Sequence, residues 1–287
     1  MEFFTRASSE PGPAILIALT AAVYLWAVRR LRRRGEQWDA RRTNAFAVAE
    51  ALLAVTFFSG LPSMAEKSFS AYTAQYVLSG LLAPILLTSA LPLTLVVKAL
   101  PEAWRARVQG ALEHQAGRVL TSPLVLWLLF ASWLLVLFLS GLSADAAHSR
   151  AVDQAVFGAS ALIGWLFCWA PADMDLRPRR MGSWPRTLYL LLAVPVFTIV
   201  GLELQTRAVP TWPGVSLSDL STGATVLWLI GEVLLLGGIL GVWLQWLRDD
   251  ERKARARDLE NTAAAERQLA LWRATREAAA QAASQRR

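Results

Sequence analysis

Two carboxylates lie within apolar stretches, and they are the first side chains in this sequence that could do chemistry. Glu50 follows the stretch TNAFAVA, and Glu232 interrupts the run VLWLIGEVLLLGG. A charge in hydrocarbon is costly unless it is neutralised or paired. Each carboxyl is therefore either a protonated group that is hydrogen-bonded to a neighbouring helix or a functional one, serving as a proton relay, an ion ligand or a docking contact.

Histidine and cysteine are scarce, which limits metal and redox chemistry. The sequence has two histidines, His114 and His148, and one cysteine, Cys168. A single cysteine excludes an intramolecular disulfide and a CxxC motif. The sequence contains no HExxH or GxSxG motif and no close pair of acids for general acid–base catalysis. These residues therefore predict neither an enzyme nor a bound cofactor.

Long apolar segments must position these residues. Seven of them are predicted to be transmembrane helices, because each approaches or exceeds the roughly 20 residues that cross a bilayer core. Hydrophobic residues make up 55% of the chain and charged residues 18%, a balance that is typical of membrane helices. The predicted spans, in chain order, are 13–28, 43–61, 72–97, 122–142, 154–170, 186–204 and 222–247.

Basic residues alternate between the segments that connect these spans. Of the 29 lysines and arginines, 25 lie in four segments, which are 29–42, 98–121, 171–186 and 248–287. Because basic residues are retained on the cytoplasmic side, the N-terminus is predicted outside and the C-terminus in the cytoplasm. The two histidines then lie on opposite sides of the membrane and cannot share one ion.

The chain is accordingly predicted to be an all-α integral membrane protein, with a seven-helix membrane domain at 1–247 and a charged cytoplasmic helical tail at 248–287. The third span contains Pro84 and Pro92, so it is expected to kink or break. The net charge of +7 lies beside membrane segments, which predicts membrane lipid as a partner and excludes nucleic acid. The amphipathic segment 99–120 is expected to lie on the inner membrane surface.

The stretch that begins at Tyr72 reads YTAQYVLSGLLAPILLTSALPLTLVVKALP. It resembles the corresponding stretch of the seven-span CtaG-type cytochrome c oxidase assembly proteins of bacteria, which are associated with caa3-type oxidases. That family has a His-Met-x-Gln-His run here, followed by a mid-helix proline and a leucine–proline pair. This chain keeps Gln75, Pro84 and Pro92, but Tyr72 and Tyr76 stand at the two histidine positions.

The resemblance implies an accessory or assembly factor for a respiratory cytochrome c oxidase in the bacterial plasma membrane, with oxidase subunits as partners. It leaves open whether copper is a cofactor. Two imidazoles beside a thioether suit copper. Phenols do not suit Cu(I), because their pKa is about 10 and they stay protonated at neutral pH. Tyr72 and Tyr76 are therefore expected to be interfacial anchors and hydrogen-bond donors. Met64 and His148 remain weaker external candidates for a metal site.

A membrane transporter of copper or another small solute is the alternative function. In that case the kinked third span and Glu232 would line an intramembrane pathway. Deletion of the gene separates the two hypotheses, because an assembly factor would affect the oxidase and a transporter would affect metal uptake.

Overall fold

The computed structural model describes residues 11–147, 149–172, 181–207, 212 and 214–284. Every regular element in this part of the chain is a helix. The helices of the first half are α1 (Pro11–Arg33), α2 (Ala40–Phe58), α3 (Leu61–Ala65), α4 (Phe69–Tyr76), a π-helical turn (Val77–Leu82), α5 (Ala83–Ala90), α6 (Pro92–Ala99), α7 (Glu102–Glu113) and α8 (Gln115–Leu120). Those of the second half are α9 (Pro123–Leu139), α10 (Leu142–Ala147), α11 (Arg150–Trp169), α12 (Ser183–Leu191), α13 (Val194–Thr206) and α14 (Leu217–Ser284).

The helices confirm an all-α fold that suits a membrane. Within the described ranges, five helical stretches are long and apolar enough to cross a bilayer, and they are Pro11–Arg33, Phe69–Ala99, Arg150–Trp169, Ser183–Thr206 and Leu217–Leu269. Helix α9 is apolar but has 17 residues, and α2 has 19 residues that include Glu50. The count of seven spans and the orientation of the termini remain predictions.

The chain forms two compact units, Met1–Ile239 and Leu240–Arg287. The residues that the sequence singled out for chemistry belong to the first unit. The second unit contains the charged end of α14. The predicted boundary between the membrane domain and the cytoplasmic tail, after residue 247, is a different kind of boundary, because it marks the end of the membrane segment. It remains a prediction.

The third predicted span is interrupted twice, as its two prolines predict. Before Pro84 the helix widens into the π-helical turn Val77–Leu82, because proline has no N–H to continue the regular hydrogen-bond ladder. The second interruption lies at Leu91, which adopts a left-handed conformation with φ of 51°. Pro92 follows it and begins α6. The span therefore consists of three helical pieces that meet at two joints.

Helix α1 pairs a backbone carbonyl group at the second joint through Tyr24. The Tyr24 hydroxyl donates to the carbonyl oxygen of Ala90 at 3.3 Å and accepts from the Trp38 indole N–H at 3.0 Å. The Tyr24 ring also stacks on Phe46 of α2, with 3.9 Å between ring centroids. These contacts fix the end of α5 against α1 and α2, so the break is a defined structural feature.

Two glycines let other helices approach the third span closely. Gly164 of α11 faces the carbonyl oxygen of Gly80 in the π-helical turn, and a Cβ at Gly164 would overlap that oxygen. Gly223 of α14 faces Phe69 and Thr73 of α4, and a Cβ there would overlap the Phe69 ring. The first half of the third span is thus packed tightly against both α11 and α14.

Candidate functional site

The first residues of α4 are held by an acid from far along the chain. Asp219, in the first turn of α14, accepts a hydrogen bond from the Phe69 backbone N–H at 2.6 Å. Its other carboxylate oxygen accepts from the hydroxyls of Ser68 and Ser70 at 3.0 and 2.5 Å. One carboxylate thus pairs an N–H at the start of α4 that has no partner within the helix. Sequence reasoning missed Asp219, whose one local signal is an acidic residue three positions before the predicted seventh span.

Tyr72 and Tyr76 share one face of α4, as their spacing predicts, but that face is buried. The two residues are 0% and 1% exposed. Phe138 of α9 contacts both rings edge-on, with centroid distances of 6.3 and 5.1 Å. Three more aromatic rings lie within 6.5 Å of the Tyr72 ring, those of Phe69, Phe157 and Trp212. The expectation of two interfacial anchors is wrong, because α9 and α11 cover this face.

Two polar side chains of α4 donate hydrogen bonds to backbone carbonyl oxygens, and a third polar group is buried. The Gln75 side-chain N–H donates to the carbonyl oxygen of Thr56 in α2 at 3.1 Å, and the Thr73 hydroxyl donates to the carbonyl oxygen of Phe69 at 2.9 Å. The Tyr72 hydroxyl is buried and has no hydrogen-bond partner among the described residues. Hydrogen-bond donation by Tyr72 therefore stays a prediction.

Acidic and basic side chains lie near Tyr72 on α11 and after α3. Asp153 of α11 lies near Tyr72, Glu66 and Arg150. The Arg150 guanidinium lies 3.8 Å from the Glu66 carboxylate. Met64, on α3, is about half exposed. His148 lies outside the described residues, so a metal site that combines Met64 and His148 remains a prediction.

The family model of the cytochrome c oxidase caa3 assembly factors matches residues 22–249. The chain belongs to this family. The resemblance drawn from the stretch that begins at Tyr72 is thereby confirmed. The match begins within α1 and ends within α14, so it contains Glu50, Glu232 and the helical turn from Tyr72 to Tyr76, which we call the tyrosine turn.

Relatives of this caa3 assembly factor family member are longer than the chain itself. An uncharacterized protein of Mycobacterium bovis is 26% identical over 247 residues, which cover 79% of this chain and 37% of the relative. An uncharacterized protein of Mycobacterium leprae is 25% identical over 265 residues, which cover 85% of this chain and 40% of the relative. The chain therefore spans about two fifths of the length of these relatives. No solved structure matches it.

The donors of the tyrosine turn fit poorly with the copper site that the family pattern suggests. Tyr72, Thr73 and Gln75 offer phenol, hydroxyl and amide oxygens, whereas Cu(I) prefers thioether, thiolate and imidazole ligands. Within the described residues, no three side chains of His, Cys, Asp or Glu lie together as a metal-binding group. The aromatic surroundings of Tyr72 and Tyr76 favour packing over metal ligation at this turn of the caa3 assembly factor family member.

The two carboxyls in apolar stretches each bond to a neighbouring helix. One Glu232 oxygen accepts hydrogen bonds from the Thr198 hydroxyl of α13 at 2.6 Å and from the Trp228 indole N–H at 2.5 Å. One Glu50 oxygen accepts from the Thr20 hydroxyl of α1 at 3.0 Å, and the other is buried with no hydrogen-bond partner among the described residues. These contacts agree with hydrogen bonding between helices, and roles as a proton relay or ion ligand remain predictions.

Proposed function

We propose that this chain is a non-catalytic accessory factor in the assembly of a caa3-type cytochrome c oxidase in the bacterial plasma membrane. The observation that carries the proposal is the family match, which covers residues 22–249. Five apolar helices of membrane-spanning length support a membrane location. Oxidase subunits are the proposed protein partners. The proposal is limited to this chain and does not extend to the relatives, because more than half of each relative lies outside the region of similarity.

We further propose that the turn from Tyr72 to Tyr76 acts as a packed structural element and holds no copper. Its aromatic neighbours on α9 and α11, together with Asp219 at the start of α14, support this assignment. The turn thereby joins three helices whose relative positions would define the surface offered to an oxidase subunit. Helix contacts rather than copper delivery are, in this proposal, what α4 contributes to assembly.

Deletion of the gene, with the wild-type gene on a plasmid as the control, tests the assembly function. We expect the deletion to lower the haem a absorbance of isolated membranes and the amount of the oxidase subunits, and to leave total cellular copper unchanged. The plasmid is expected to restore the oxidase. Normal oxidase levels together with altered copper accumulation would contradict the proposal and favour the transporter instead.

A further inference from the structure

Helix α1 ends in a turn that fixes the position of Arg34. The Glu36 backbone N–H donates to the carbonyl oxygen of Leu31 at 3.1 Å, and the Gly35 N–H donates to that of Arg32 at 3.0 Å. Gly35 has φ of +79°, a conformation that glycine adopts without steric cost. This pair of bonds is the Schellman arrangement that closes many helices. Arg34 is therefore held at the helix end and does not belong to a loose loop.

A second arginine reaches the same point from α7. Helix α6 ends at Ala99, and Pro101 has no N–H to pair the last carbonyl groups. The carbonyl oxygen of Lys98 instead accepts hydrogen bonds from the Arg34 guanidinium at 3.3 Å and from the Arg105 guanidinium at 2.8 Å. Two positive groups thus meet at one oxygen atom. We call Arg34, Arg105 and the Lys98 carbonyl the arginine corner.

Within the described residues, Glu102 is the one carboxylate that forms an ion pair with either arginine of the arginine corner. Glu102 lies 3.4 Å from the Arg105 guanidinium, but the Glu102 side chain is 82% exposed, and such exposed pairs contribute little. The Arg105 Nε atom is buried with no hydrogen-bond partner among the described residues. Two guanidiniums held close together, with donors left over, favour an oxyanion, because their planar N–H groups match phosphate geometry.

Exposed tryptophans on α1, which ends just before Arg34, and on α7, which contains Arg105, indicate that the arginine corner lies at the level of lipid headgroups. On α7, Trp104 is 55% exposed, and the Arg107 guanidinium lies 4.9 Å from the centre of its ring. On α1, Trp26 is also exposed, and the Arg30 guanidinium lies 5.5 Å from its ring. Tryptophan paired with arginine is typical of the interface between hydrocarbon and water.

We propose that Arg34 and Arg105 bind the phosphate group of an anionic phospholipid at the arginine corner. The phosphate oxygens accept hydrogen bonds from the guanidinium N–H groups that do not bind the Lys98 carbonyl. The bound anion lowers the repulsion between the two arginines and joins the end of α1 to the junction of α6 and α7. This site is independent of oxidase assembly, and it adds a defined lipid to the general attraction between basic loops and anionic membranes.

Lipid retention by the purified full chain tests this site. The chain is exchanged into detergent with either phosphatidylglycerol or phosphatidylcholine, and bound lipid is counted by native mass spectrometry. We expect one phosphatidylglycerol to be retained preferentially, and Arg34→Gln or Arg105→Gln to weaken its binding about tenfold, since each removes a charge-assisted hydrogen bond. The matched controls are Arg33→Gln on α1 and Arg118→Gln on α8, which remove the same charge from exposed positions outside the arginine corner.

Three results would overturn the lipid site. Equal losses in the control variants would show that only diffuse surface charge attracts the lipid, and equal retention of phosphatidylcholine would show that no anionic headgroup is selected. Displacement of phosphatidylglycerol by millimolar inorganic phosphate would assign the arginine corner to free phosphate. If a glutamine variant fails to fold, Arg34→Lys decides the matter, because it keeps the charge, loses the planar N–H groups and is expected to bind the lipid more weakly than wild type.

Discussion

The Tyr72 hydroxyl lies among aromatic rings without a hydrogen-bond partner in the described part of the chain. Tyr72→Phe is therefore expected to leave the unfolding temperature unchanged or to raise it, because an unpaired buried hydroxyl costs free energy. The matched control is Tyr24→Phe, which leaves the Trp38 N–H and the Ala90 carbonyl unpaired and is expected to cost about 1–3 kcal/mol. Thermal unfolding of both variants in one detergent makes the comparison. A larger loss for Tyr72→Phe would show that its hydroxyl has a partner.

The contribution of Asp219 to the stability of the start of α4 can be measured. Asp219→Asn removes the charge that accepts three hydrogen bonds, so it is expected to lower the free energy of unfolding by about 1.5–3 kcal/mol. Asp249→Asn is the control, because its exposed pair with Arg252 at 3.9 Å is worth no more than about 1 kcal/mol. Denaturant unfolding followed by tryptophan fluorescence measures both. Equal effects would mean that the Asp219 contacts do not stabilise α4.

The sequence predicted some properties of these residues and missed others for identifiable reasons. A four-residue spacing places Tyr72 and Tyr76 on one helical face whatever the surroundings. Which helices cover that face depends on tertiary packing, so the burial of both rings was not predicted. The role of Asp219 depends on a contact between residues 150 positions apart, and no local pattern reports such a contact.

Helix α11 approaches the π-helical turn through Gly164, and this contact sets how closely two candidate membrane helices pack. Gly164→Ala would place a methyl group against the Gly80 carbonyl and is expected to destabilise the protein by about 1–3 kcal/mol. Gly158→Ala on the same helix meets no atom within 4 Å, so its higher helix propensity is expected to stabilise slightly. Thermal unfolding compares the two variants. Equal stability would contradict the tight contact at Gly164.

The sequence predicts that the third span is interrupted, but it does not predict the form of either interruption. Pro84 and Pro92 must disturb a regular helix, because each lacks an N–H and crowds the preceding turn. A π-helical turn before Pro84 and a left-handed Leu91 before Pro92 are two different ways of absorbing that disturbance. The choice at Leu91 accompanies a hydrogen bond from Tyr24 to the Ala90 carbonyl, which involves residues distant in the sequence.

The predicted orientation of the two termini rests on the distribution of basic residues, and labelling of tags in intact cells tests it. Tags at the N-terminus and near His148 are expected to react with a membrane-impermeant reagent in intact cells, because their segments contain few basic residues. Tags at Arg34 and at the C-terminus are expected to react only after the cells are permeabilised. Labelling of the C-terminal tag in intact cells would reverse the predicted topology.

The proposed role of this member of the caa3 assembly factor family is to support oxidase assembly through packed helices, without copper at the tyrosine turn. Its most direct test is oxidase assembly in the deletion strain complemented with the double variant Tyr72→Phe, Tyr76→Phe, because the variant keeps the aromatic rings and removes both phenol oxygens. Haem a absorbance and the copper content of the isolated oxidase are measured at matched expression of the factor. We predict wild-type values for both. A normally expressed double variant that yields oxidase depleted in copper would contradict the claim.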